Sequence, residues 1–415
     1  MSPQSATVLC NQNTNTCGCL ASPALPLIIE GVVLNTEELV NIVTVLERSD
    51  RVNHINLTVI TDCSSHLEEI SAAIQKPLPE LTNLGLFSYN TATVVPDSFA
   101  QGGSAPRLRT LFLRGIPFPG LPKLLLSATH LVCLYLLNIP HSGYFSPEAI
   151  TTSLSTLTSL DQLFLEFESP RSLPDGETRH PPFLTRSVLP SLRTLTFKGV
   201  GEYLEVLVAV IDAPRVYSLS ITLFNQILFD TPQSIQFISR TPMLIAHKKA
   251  SLTFMNDTAA VFLSSPPYDG TGNEKVHVKI LCRESDWQVS SLQQVCTSCL
   301  PPLSALEDLY IYEDSKSPPD WRDNIENTLW LELLHPFSDV KNLYLSGKFA
   351  LRIGPALQEL VGSRTMEALP ILQNIFLEGL QPLGPVVEGI MKFVAARELS
   401  AGHPITVSPW ERDGG

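Results

Sequence analysis

The sequence predicts an α/β solenoid with parallel strands on one face and helices on the other, on three observations. One short pattern, apolar-x-x-apolar-x-apolar, recurs along nearly all of the 415 residues. Alternation within each copy has the two-residue period of a strand with one buried face. The segments between copies carry helix start signals and apolar residues at i, i+3, i+4 and i+7. Strands and helices alternating through short links imply parallel strands joined by right-handed crossovers. A doubly wound sheet would need fewer strands and would not repeat one strand motif many times.

The clear copies begin with Leu108-Arg-Thr-Leu111-Phe-Leu113, Leu131-Val-Cys-Leu134-Tyr-Leu136 and Leu160-Asp-Gln-Leu163-Phe-Leu165. Leu192-Arg-Thr-Leu195-Thr-Phe197 and Val216-Tyr-Ser-Leu219-Ser-Ile221 follow. Further on stand Leu306-Glu-Asp-Leu309-Tyr-Ile311, Val340-Lys-Asn-Leu343-Tyr-Leu345 and Leu372-Gln-Asn-Ile375-Phe-Leu377. Weaker copies span Val52–Leu57, Leu81–Leu86, Lys249–Phe254 and Val276–Leu281. Copies start roughly 23 to 34 residues apart, which matches or slightly exceeds the period of a leucine-rich repeat. The expectation is therefore a leucine-rich-repeat horseshoe of about ten to twelve irregular repeats over residues 25–405, its terminal repeats acting as caps. Strands should line the concave face and helices the convex one. Residues 1–24 are expected as a disordered N-terminal segment and 406–415 as a C-terminal tail. Residues 229–282 fit the pattern least, and a division into two sub-domains there stays open.

The helices announce themselves at their N-termini. Asn35 and Glu38 have capping-box spacing ahead of Leu39, Ile42, Val43 and Leu46. Ser65 and Glu68 repeat that signal before Ile70 and Ile74. Ser146-Pro147-Glu148 supplies an N-cap, a first-turn proline and an acidic first turn. Residues 324–334 and 385–396 read as two further helices. Loops at 169–182, 264–275 and 314–320 are rich in Pro, Gly, Ser and charge and are expected to hang from one edge.

Composition excludes several functions. Hydrophobic residues make up 44% of the chain, enough for a large core, and the formal net charge is −13. Nucleic acids and anionic membranes require a basic footprint, so neither is expected as a partner. No apolar run reaches the ~18 residues of a membrane-spanning helix. The N-terminal stretch lacks the basic and apolar blocks of a signal peptide, which points to a cytoplasmic or nuclear protein with reduced cysteines.

Catalytic and metal motifs are absent from the sequence. There is no G-x-S-x-G, HExxH, Walker or dinucleotide-binding signature. Cys296-Thr-Ser-Cys299 has ligand spacing but no second pair follows it, and a structural zinc site needs four ligands. No cofactor, no metal and no enzymatic activity are expected. An enzyme whose site is assembled from distant loops stays open as the alternative of a different class, and converging His, acid and Ser or Cys groups would mark it.

Several longer stretches resemble a large group of fungal F-box/leucine-rich-repeat proteins. They include Leu39-Val40-Asn41-Ile42-Val43, Gly103-Ser104-Ala105-Pro106-Arg107-Leu108-Arg109 and Phe237-Ile238-Ser239-Arg240-Thr241-Pro242. Trp330-Leu331-Glu332-Leu333-Leu334-His335-Pro336-Phe337 and Phe393-Val394-Ala395-Ala396-Arg397 belong to the same set. The resemblance runs from about Leu25 to the C-terminus and implies substrate selection for a cullin–RING ubiquitin ligase. In that family an N-terminal F-box holds a Skp-type adaptor. Residues 1–30 offer only Leu25-Pro26-Leu27-Ile28-Ile29-Glu30, leaving no room for a three-helix F-box, so a stand-alone interaction scaffold is the alternative.

The candidate site is a protein-binding face built from the x positions of the motif. Phe112, Tyr135, Phe164, Tyr310, Tyr344 and Phe376 fall at its last x position. Aromatics bury large area at interfaces for modest entropy. Arg109, Arg193, Asp308, Asn342 and Asn374 form a polar border beside them. The same column would also arise if neighbouring aromatics simply packed on one another across strands.

Overall fold

An isolated copy of the motif cannot bury its own leucines; the next strand must lie beside it. A computed structural model shows how the chain meets that demand. It describes residues 6–10, 26–46, 49–60, 65–89, 94–95, 105–170, 186–224, 231–245, 247–265, 274–303, 305–321, 325–361, 366–379, 385–401 and 404–411. The chain divides into two units, Met1–Val216 and Tyr217–Gly415, inside the clear copy that starts at Val216 and ahead of residues 229–282.

The first unit lays its strands down in chain order. They are β1 (Ala6–Cys10), β2 (Leu27–Val33), β3 (Val52–Val59), β4 (Asn83–Ser88), β5 (Thr110–Arg114), β6 (Cys133–Ile139), β7 (Gln162–Phe167) and β9 (Thr194–Gly199). Every neighbouring pair is parallel. The short β8 (Ser187–Val188) and β10 (Ile211–Asp212) pair with each other instead. Register aligns the motif: Leu84, Leu111, Leu134, Leu163 and Leu195 form one row, and Leu86, Leu113, Leu136, Leu165 and Phe197 the next. Both rows are almost wholly buried, and each large side chain so covered contributes about 1.5–3 kcal/mol.

Helices α1 (Thr36–Leu46), α2 (Ser65–Ile74), α3 (Leu121–Leu125), α4 (Pro147–Leu154) and α5 (Gly201–Val210) link these strands. Two of the predicted start signals are realised, and the Ser65 side chain of the third lies outside the described residues. Asn35 Oδ1 accepts from Glu38 N at 3.0 Å while Glu38 Oε2 accepts from Leu34 N at 2.7 Å. Ser146 caps α4 by accepting from Ala149 N, with Pro147 in the first turn. An aromatic knot of Phe167, Phe197 and Tyr203 fills the space beneath β7 and β9, and the Tyr203 hydroxyl donates to Phe145 O at 3.3 Å.

The second unit departs from chain order. It opens with β11 (Ser218–Phe224) and α6 (Pro232–Arg240), then β12 (Lys249–Met255), β13 (Thr258–Ser264) and β14 (Glu274–Leu281). In space the order is β11-β14-β13-β12, followed by β15 (Asp308–Glu313). The β11–β14 and β12–β15 pairs are parallel, whereas β13 is antiparallel to both its neighbours. The weak copies at Lys249–Phe254 and Val276–Leu281 do form motif strands, but a hairpin strand stands between them and their places are exchanged. This corrects the expectation of an uninterrupted parallel series.

Helix α7 (Ser285–Ser298) then returns across this block and packs on β13 and β14. Its Gln288, fully buried, donates from Nε2 to Met255 O at 3.0 Å and to Cys282 O at 2.7 Å, tying the helix to the ends of β12 and β14. From there the order is regular again: α8 (Asn327–Leu334), β16 (Asn342–Leu345), α9 (Gly347–Glu359), β17 (Asn374–Glu378), α10 (Pro385–Ala401) and β18 (Thr406–Trp410). Phe254, Trp321, Trp330 and Phe349 interlock beneath β12 and β15, with Phe254 and Phe349 stacked at 4.9 Å.

The ends differ from expectation too. Residues read as the C-terminal tail contain β18, parallel to β17 from Asn374↔Thr406 to Glu378↔Trp410, so the repeat array continues into them. Its backbone pairs with the edge of β17 without a leucine motif. Within residues 1–24, Ala6–Cys10 forms β1 beside β2, and the remainder lies outside the described residues. Of the predicted loops, most of 169–182 and 264–275 also lies outside them. The loop at 314–320 does not hang free: Asp314 Oδ1 accepts from Lys316 N and Ser317 N, and Ser317 O accepts from Asn256 N at 3.1 Å.

Candidate functional site

Alternation points the x positions of every motif strand away from the helices, onto one open sheet face in each unit. Phe112, Tyr135 and Phe164 sit in adjacent register on β5, β6 and β7 in the first unit. Their rings stack with centroids 5.3 and 4.7 Å apart, and all three are half-buried. Phe87, which the motif pattern does not single out, extends the stack, 4.6 Å from Phe112. The residue of β4 that pairs with Phe112 is Gly85, where a Cβ would lie 2.8 Å from Asn56 Oδ1 and 3.5 Å from the Phe87 ring. Its missing side chain leaves the space into which Phe87 leans. The ladder stops at β9, whose matching residue is Thr196.

Tyr310, Tyr344 and Phe376 form the second ladder, on β15, β16 and β17. It is tighter and flatter: centroids are 4.1 and 4.4 Å apart, with planes within 9°. Trp410 of β18 meets Tyr344 edge-on at 5.6 Å, and Lys249 of β12 lies over the Tyr310 ring at 5.9 Å. The same row continues through Ser251 and Phe262 to His277, which stacks on Phe262 at 4.1 Å. Burial raises the Tyr310 and Tyr344 hydroxyls above the usual phenol range, so both rings stay neutral O–H donors. Burial does the same to Tyr135, whose hydroxyl donates to Gln162 Oε1.

A chain of polar side chains borders the second ladder. Asn342 Nδ2 donates to Asp308 Oδ1 at 2.7 Å, Asn374 Nδ2 to Asn342 Oδ1 at 2.7 Å, and Thr406 Oγ1 to Asn374 Oδ1 at 2.5 Å. Each amide keeps a second N–H outside this chain of bonds. In the first unit Arg193 pairs with Asp161 at 3.2 Å, while Arg109 is exposed at the start of β5. The predicted residues thus fall into two sets: Arg109, Phe112, Tyr135, Phe164 and Arg193 on one unit, and Asp308, Tyr310, Asn342, Tyr344, Asn374 and Phe376 on the other. Lys249, from a weak copy of the motif, joins them, as do Phe87, Phe262 and Trp410, which no copy of the motif contains.

Among the described residues, one serine and one histidine meet on this face without an acid beside them. Ser220 Oγ and His277 Nδ1 stand 3.3 Å apart, yet the charge acting on His277 is Lys279, a cation where a hydrolytic triad needs a carboxylate. Burial holds His277 down at about 4, so its ring is neutral near pH 7. Cys296 is buried in α7 and burial pushes its thiol up, away from the reactive thiolate. No cluster of three metal-binding side chains occurs among the described residues.

No known family model matches the chain, and no curated protein matches it either. No helix among the described residues is long and apolar enough to cross a membrane. Among solved structures the chain is similar to the leucine-rich repeat-containing protein LegL7 from Legionella pneumophila, at 13% identity and a TM-score of 0.29, over 87% of this chain and 95% of that one.

Proposed function

We propose that this chain is a protein-binding repeat module and not an enzyme, and that its open sheet faces hold the partner. The observation that carries the reading is the pair of half-buried aromatic ladders on β4–β7 and β15–β17. Cross-strand packing alone explains why the rings touch one another. It does not require that each stay half-exposed beside polar side chains, the composition of an interface core and its rim. In this reading the open face of each unit is its concave side. The resemblance to F-box/leucine-rich-repeat proteins carries the finer proposal, substrate selection for ubiquitination by a cytoplasmic or nuclear protein.

The test is affinity purification of the tagged chain from its native cells, beside the variant Tyr344→Ala/Phe376→Ala and a variant on the helical side, Glu332→Ala. Proteins retained by the wild type and by Glu332→Ala, and lost from the ladder variant at unchanged melting temperature, support the reading. Recovery that ignores the ladder sinks it. Co-purification of a Skp-type adaptor and a cullin supports the ligase role; reproducible partners without either leave a stand-alone scaffold.

A further inference from the structure

The residue just before each motif strand lies at the edge of the sheet, and these residues form rows held by backbone hydrogen bonds. In the first unit Arg109 N donates to Thr82 O at 2.8 Å, Val132 N to Arg109 O at 2.7 Å, Asp161 N to Val132 O at 2.8 Å and Arg193 N to Asp161 O at 2.8 Å. In the second, Glu307 N donates to Lys248 O at 2.8 Å and Lys341 N to Glu307 O at 2.9 Å. Charges in these rows neutralise their row neighbours. Asp161 pairs with Arg193 at 3.2 Å, and Glu307 takes Lys248 at 3.2 Å and Lys341 at 3.8 Å. Arg109 is the exception. Its row neighbours, Thr82 and Val132, are neutral, and its exposed guanidinium makes no ion pair among the described residues.

That cation opens into a cleft on this face. The space, ≈ 760 Å³, is lined by Asn83, Arg107, Arg109, Thr110, His130 and Cys133 among others. Arg107 is already held by Glu80, so Arg109 is the guanidinium free to take a ligand, with the exposed His130 beside it. Among the described residues, no carboxylate lines the cleft. Thr110 and Cys133 precede Phe112 and Tyr135 by two residues on the same face, so the cleft runs directly into the first aromatic ladder. A chain of net charge −13 repels acidic partners over most of its surface, which makes one uncompensated cation in a cleft a strong selector of orientation.

We propose that this cleft receives a carboxylate side chain from an acidic segment of the partner protein, gripped by Arg109 while neighbouring apolar residues of that segment lie on Phe112 and Tyr135. The guanidinium fork suits a carboxylate bidentately, and the hydroxyl and amide of Thr110 and Asn83 offer further polar contacts in the cleft. The proposal rests on the sheet face being the partner surface, and names the chemistry it selects.

Fluorescence anisotropy on the full chain tests it, with a short fluorescein-labelled peptide of alternating Leu and Glu. Companion peptides replace Glu by Gln or by phosphoserine. The Glu peptide should bind about tenfold or more tightly than the Gln peptide, and added salt should erase the gap. Arg109→Glu should abolish the preference, Arg109→Lys should keep part of it, and the melting temperature should not move because Arg109 is exposed. Equal binding of Glu and Gln peptides overturns the proposal, as does a preference that survives Arg109→Glu. A phosphoserine peptide bound tenfold more tightly than Glu overturns the carboxylate in favour of a phosphate. If the peptides fail while the ladder variant still loses cellular partners, this inference falls and the partner-surface reading stands. If the Glu preference holds but the ladder variant keeps every partner, the cleft stands and that reading falls.

Discussion

The two units build the same kind of face by different routes. In the first, β1 to β7 and β9 lie side by side in the order the chain makes them. In the second, a hairpin strand enters the array and exchanges the places of β12 and β14 before regular order resumes. Both still align buried rows inside and an aromatic ladder outside. The strand motif therefore specifies a rung, its buried side and its open side, but not which rung comes next. Neighbours are chosen by what the intervening chain can reach and cover, here by α7 folding back over β13 and β14 with Gln288 fastening both ends of the block.

The largest expected effect compares the two cores. Phe254→Ala empties the centre of the Trp321, Trp330 and Phe349 cluster and should cost about 3–5 kcal/mol. All four tryptophans, Trp287, Trp321, Trp330 and Trp410, belong to the second unit, so denaturant unfolding followed by tryptophan fluorescence reports that unit selectively. Phe197→Ala should cost a similar amount in the first unit and show in far-ultraviolet circular dichroism with little change in the tryptophan midpoint. A tryptophan midpoint that drops equally for both variants would merge the units into one cooperative block and break the comparison.

Acid should separate the units next. His247 and His277, both in the second unit, are held down at about 4 by burial, against about 6.5 in an unfolded chain. The unfolded state then binds more protons between those values, so stability rises with pH through that window. The contribution is fully present above about 6.5 and is lost as pH falls toward 4, at most about 3 kcal/mol per histidine. Acid titration should lower the tryptophan-detected midpoint between pH 6.5 and 4, and His277→Phe, which keeps the stack on Phe262, should remove part of that loss. An unchanged slope in His277→Phe would assign the acid sensitivity to other groups.

How much of this was legible depends on the range of the interaction. Leu111, Leu134 and Leu163 declared their buried row because burial has a short period that a single strand displays. The caps at Asn35 and Ser146 were equally local. The exchange of β12 and β14 was not legible, because both carry the alternation of any motif strand. The one readable hint was the Asn256-Asp257 step between two apolar runs, a hairpin signal. Trp410 was missed because β18 has no leucine motif and is held by the edge of β17. Phe87 was missed because it reaches Phe112 diagonally, over a glycine. The isolation of Arg109 could not be read at all, since pairing in the edge row depends on which residue the register sets beside it.

Two turns after motif strands give a paired test of local constraint. Gly115 follows β5 with φ +65°, and a Cβ there would lie 2.2 Å from Ser88 O of the neighbouring strand end. Gly379 follows β17 with φ +64° and nothing within 4 Å. Gly379→Ala should cost only the left-handed backbone penalty, about 1 kcal/mol, measured by thermal melting. Gly115→Ala carries that penalty plus the displacement of β4 from β5, about 2 kcal/mol or more. Equal losses would mean that the first unit yields at this turn as freely as the second.

The smallest effect bears most directly on function. If the ladders exist to hold each other, coupling between rings should follow their geometry. Tyr310 and Tyr344, 4.1 Å apart and within 9° of parallel, should then couple by up to about 1 kcal/mol in a double-mutant cycle of Leu substitutions. Phe112 and Tyr135, 5.3 Å apart and tilted by 27°, should couple by about half as much. Mutual support of that size is far below the 3–5 kcal/mol a core aromatic contributes, so the chain can give up a ladder ring and remain folded. Stability alone does not account for six such rings in the same half-exposed row position. A cycle in which coupling is near zero in both units while partner binding collapses would sharpen the assignment to recognition. Coupling near that of a core pair would return the ladders to the fold.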